Sequence, residues 1–69
     1  MTLAAEERMR AAEEAVEQLR AGFAGFGVTL PSLRIDPLSA ANGALPLIEL
    51  GRCNLDTAMR IAAVLEETR

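Results

Sequence analysis

Histidine, lysine, tryptophan and tyrosine are all absent from this 69-residue chain, and cysteine occurs once, at Cys53. Without an imidazole, Ser32, Ser39 and Thr57 have no partner for a Ser/His/Asp relay, and Cys53 has no histidine base. A Cys/His zinc site has no ligand set, and a lone thiol forms no intrachain disulfide. Because lysine is missing, all seven basic residues are arginine, scattered at Arg8, Arg10, Arg20, Arg34, Arg52, Arg60 and Arg69. With a net charge of −3 and an isoelectric point near 4.8, the chain lacks the basic stripe that a phosphate backbone demands, and nucleic acid is disfavoured as a partner. No apolar run approaches the ~18 residues of a membrane span, and Glu6 and Glu7 precede the first arginine, unlike a secretory signal. The expected location is therefore cytoplasmic, with no membrane contact. No cofactor is implied.

Apolar residues nevertheless make up 51 % of the chain, so it is expected to fold, although aromatics contribute only 3 %. An aliphatic, alanine-rich core favours close helix contacts over a roomy cavity. A chain of this size buries a smaller fraction of its surface than a larger domain and is marginal by itself. With disulfides and zinc removed from the usual aids, association with another chain remains.

Ala5, Met9, Ala12, Val16, Leu19, Phe23 and Phe26 follow at alternating spacings of four and three, which is a heptad seam. Thr2 is a candidate cap, Glu6 and Glu7 complement the helix dipole, and no proline interrupts the segment, which predicts a helix over about 2–24. Pairs Glu6 to Arg10 and Glu17 to Arg20 add surface support. Gly25 or Gly27 is suited to the left-handed stop, with Phe26 folding back as the apolar contact of the cap.

Alternation of apolar and polar residues predicts strands over about 28–35, interrupted at Pro31 by an edge or bulge, and over about 45–50, with Ile48 and Leu50 on one face. Between them, Asp36 followed by Pro37 reads as a cap and first helical position, opening one short turn over 37–41 ahead of Asn42 and Gly43. The connection is not a tight hairpin. Asn54 caps a last helix over about 55–67, whose face of Leu55, Ala58, Met59, Ala62 and Leu65, widened by Ile61 and Val64, suits a helix packed on more than one neighbour. The fold class is α+β, a single domain over 1–69 of helix-strand-strand-helix order, with dimerisation predicted because two strands alone are marginal in water.

Candidate chemistry is sparse. Cys53 sits beside Arg52 just ahead of a helix N-terminus, which marks a weak candidate for a reactive thiol or an anion site; the simpler reading is a small half-buried residue at a turn. Arg52 could equally pair with Glu49 or with a carboxylate of a partner. Asp36 and Asp56 read as helix-start residues, and Glu49 as the solvent face of a strand. No catalytic and no metal-ligating residues are assigned.

The segments Leu30-Pro31-Ser32-Leu33 and Pro46-Leu47-Ile48-Glu49-Leu50-Gly51-Arg52-Cys53, followed by Thr57-Ala58, resemble short uncharacterised proteins of high-GC actinobacteria. The all-arginine, alanine-rich composition is similar too. The resemblance spans about the C-terminal half and implies a small bacterial cytosolic protein, with no activity attached.

The expected function is a non-enzymatic protein-protein interaction module: a homodimer, or a subunit or adaptor of a larger bacterial assembly. Met9, Ala12, Val16, Leu19 and Phe23 are the expected interface residues. The competing reading is an antitoxin-like or transcriptional regulator that contacts DNA as a dimer. Whether the seam is buried within one chain or between chains stays open at this level.

Overall fold

A computed structural model describes residues 5–41 and 45–67. The elements are α1 (Ala5–Ala24), β1 (Arg34–Ile35), α2 (Pro37–Ala41), β2 (Ile48–Glu49) and α3 (Leu55–Glu67). The result is a small α+β unit: a long N-terminal helix, an antiparallel two-stranded hairpin with a helical turn in its connection, and a C-terminal helix. Thr2, Asn42 and Gly43 lie outside the described residues.

α1 begins with Glu6 and Glu7 in its first turn, and its twenty residues span about 30 Å. Its end is a Schellman motif. Gly27 adopts φ 72°, its N–H donates to the Ala24 carbonyl at 3.0 Å, and the Val28 N–H reaches back to the Phe23 carbonyl at 2.9 Å. In this motif the apolar contact pairs the residue after the glycine with the helix residue that accepts its amide. Val28, 3 % exposed, therefore fills the role expected of Phe26, which is 49 % exposed.

The strands are shorter than the alternation predicts. Leu30–Leu33 forms a turn, closed by the Leu33 N–H on the Leu30 carbonyl at 3.2 Å, because Pro31 has no amide to give to a ladder. Pairing is confined to Arg34 opposite Glu49 and Ile35 opposite Ile48, extended by the Asp36 N–H on the Leu47 carbonyl at 2.8 Å. Asp36 caps α2 as expected, its carboxylate accepting from the Leu38 N–H at 3.3 Å. Ser39 then ties α2 to the second strand: its hydroxyl donates to the Asp36 carbonyl and accepts from the Leu47 N–H, both at 2.9 Å. Ser39 is buried, so each of its hydrogen bonds satisfies a group that has lost water.

Gly51 closes β2 with φ 86°. A Cβ there would lie 2.7 Å from the Ser32 Cβ, so the 30–33 turn and the exit from β2 approach to a distance that only glycine permits. This contact brings the chain round to α3.

The core is small. Among the described residues only Ala12, Val16, Val28 and Leu33 are buried apolar side chains, flanked by half-buried Met9, Leu19, Phe23, Leu30, Ile35 and Ile48. α1 packs on β1 and β1 on β2; α3 has no comparable neighbour. One link to it is the Arg60 guanidinium, which donates to the Gly27 carbonyl at 3.2 Å.

Candidate functional site

The heptad seam of α1 faces the hairpin. Ala12 and Val16, at its centre, are covered within the single chain; Met9, Leu19 and Phe23 are half-buried, and Ala5 and Phe26 at its two ends are exposed. Arg20 fastens this face from the side: one guanidinium nitrogen meets Glu17 at 2.7 Å and the other donates to the Leu33 carbonyl at 3.1 Å. Among the grooves along α1, two carry apolar walls. One is lined by Phe23, Val28, Leu30 and Leu33 near the glycine cap, the other by Arg8, Ala12, Leu45, Pro46 and Ile48 beside β2.

α3 carries the larger apolar surface. Leu55, Met59 and Leu65 are 74 %, 61 % and 61 % exposed, and Ala58 and Ala62 between them are exposed as well. Sequence reasoning places these five residues on one face, widened by Ile61 and Val64, and reads the whole of it as packed; only the widening pair is half-buried. Instead the helix turns Thr57, Ile61 and Val64 toward the rest of the chain, each half-buried, and leaves the five-residue face open. At 100° per residue the two sets lie on adjoining arcs of the helix, so burying one does not bury the other. The pattern of apolar residues is legible in sequence; which arc meets the chain's own core is not.

Arg52 and Cys53 are both exposed at the approach to α3. Cys53 is thus not the half-buried residue of the simpler expectation, because Gly51 turns the chain outward before the helix begins. The helix start is occupied by Asn54, whose side-chain oxygen accepts from the Thr57 N–H at 2.8 Å. Glu49 pairs with Arg34 at 3.0 Å rather than with Arg52, since the antiparallel register sets those two residues opposite each other. No group of three Cys, Asp or Glu side chains among the described residues is placed to hold a metal ion. No described helix is long and apolar enough to cross a membrane.

What this arrangement offers chemically is apolar contact. Leu38, Leu45, Leu47 and Leu50 add to the exposed large side chains, outnumbering the buried ones. Comparisons with protein-family models, curated proteins and solved structures found no significant match.

Proposed function

We propose that this protein is a non-enzymatic protein-protein interaction module that works as a homodimer or as a subunit of a larger assembly. The observation that carries this reading is the imbalance between core and surface. Among the described residues, four buried apolar side chains stand against eight large apolar side chains that are exposed. Scattered apolar residues are ordinary on a surface, but a small domain that leaves so many large side chains in water has forgone burial that would stabilise it. Association supplies that burial and gives the exposed residues a purpose.

The shape supports the same reading. The radius of gyration is 13.9 Å, against about 11 Å for a compact chain of this length. Sedimentation velocity across a micromolar concentration series tests it, with a dimer or higher species as the expected outcome. A monomer that stays cooperatively folded throughout would overturn the homodimer, and a pull-down from the source cell that returns no specific partner would then remove the assembly subunit too.

A further inference from the structure

We propose that α3 is a releasable arm, which leaves the rest of the chain as one unit, pivoting at residues 52–54, while α1 and the hairpin stay folded. The proposal concerns the single chain and stands apart from association.

Unequal burial is the first argument. α1 sinks Ala12 and Val16 to 7 % and 6 % exposure, whereas α3 has no buried residue, and its most covered side chains, Thr57, Ile61 and Val64, are each half-buried. These three follow at spacings of four and three, a single line along the helix. The free energy that holds an element down follows the apolar area it buries, so α3 opens at a lower cost than α1. The Arg60 bond to the Gly27 carbonyl adds a modest hold, because both residues are exposed and water replaces each partner on release.

Self-sufficiency is the second. α3 carries its own cap: the Asn54 side-chain oxygen accepts from the Thr57 N–H at 2.8 Å, and the Asn54 carbonyl accepts from the Ala58 N–H at 3.0 Å. Donors and acceptor travel together, so release leaves both amides satisfied. The remainder is equally closed on itself. The glycine cap of α1, the Arg20 bond to the Leu33 carbonyl and the Ser39 bridge all lie within residues 20–47.

The connection is the third. Gly51 approaches Ser32 so closely that a Cβ would overlap it, which holds the chain against the 30–33 turn as far as that residue. Arg52, Cys53 and Asn54 follow, all exposed, so rotation there uncovers nothing. Release bares Thr57, Ile61 and Val64 beside Leu55, Met59 and Leu65, and the helix then presents both apolar arcs at once. At 13 residues it lies near the lower limit of autonomous stability, so once released it frays and its amides exchange.

The test is native-state hydrogen exchange of the full chain, read by NMR along a series of low urea concentrations. Amides of residues 59–65 are expected to share one opening, with protection at least about 10-fold below that of residues 16–20 in α1 and a smaller urea slope, since less surface is exposed. Arg60→Ala is expected to lower protection in α3 by about 2- to 10-fold and to leave residues 16–20 unchanged. Equal protection and equal slope in the two helices overturn the proposal, because α3 then opens only when the whole chain unfolds. A protection that falls steadily from residue 59 toward residue 67 also overturns it, being the mark of an end that frays in place. So does an Arg60→Ala variant in which both helices lose protection by the same factor.

Discussion

Ser39 shows how much of this fold depends on single polar atoms. Its buried hydroxyl is the bridge between the Asp36 carbonyl and the Leu47 amide, and no other element covers that amide. Ser39→Ala is expected to orphan it and to lower stability by about 1–3 kcal/mol, read as a shift in urea midpoint with the slope unchanged. The Arg34 and Glu49 pair is the opposite case. Both side chains are about half exposed, so the attraction is screened, and Glu49→Gln is expected to change the midpoint by less than ~1 kcal/mol in stability. The capping roles of Asp36 and Asn54 were legible in sequence because they depend on neighbours two or three residues away. Ser39 was not, since its partner Leu47 is eight residues distant and its burial is a tertiary fact.

At the scale of elements, glycine positions separate two kinds of constraint. Gly22 lies within α1 with nothing within 4 Å of where a Cβ would stand, so Gly22→Ala is expected to stabilise the chain by about 0.5–1 kcal/mol, measured by thermal or urea unfolding. Gly51 combines φ 86° with the close approach of Ser32. Gly51→Ala is expected to destabilise by more than ~1 kcal/mol, because left-handed backbone and steric overlap act together. A gain in stability from Gly51→Ala would mean that the 30–33 turn does not pack on the exit of β2. The long helices were readable from periodicity, and α3 also from its cap at Asn54, whereas the strands were overextended by alternation alone. Alternation records which side chains alternate in exposure; Pro31 and the register of β1 with β2 decide how many residues pair.

The whole molecule is an open one, with principal extents of 37 × 23 × 16 Å and much of its apolar surface unclaimed. If association with a second copy covers that surface, stability becomes a function of concentration. The melting temperature is expected to rise as protein concentration increases from about 1 to 100 µM, whereas a monomeric unit would melt at one temperature throughout. Val16→Glu and Met59→Glu should then differ in kind. The first places a carboxylate in the core of one chain and is expected to unfold it; the second places one in solvent and is expected to leave the chain folded, both read by circular dichroism.

Composition and local pattern by themselves determined the helices, the caps at Asp36 and Asn54 and the α+β class, because each follows from residue types and from spacings within a turn or two. What only the tertiary structure decided is which apolar face is taken. Two helices, α1 and α3, both carry amphipathic stripes, and periodicity treats them alike. The hairpin has room for one: it packs under α1 and covers Ala12 and Val16, while the link of Arg60 to Gly27 and the half-buried side of Thr57, Ile61 and Val64 turn Leu55, Met59 and Leu65 away. Burial is a contest among non-local contacts for a limited core, and the outcome depends on how Gly27 and Gly51 direct the chain in space.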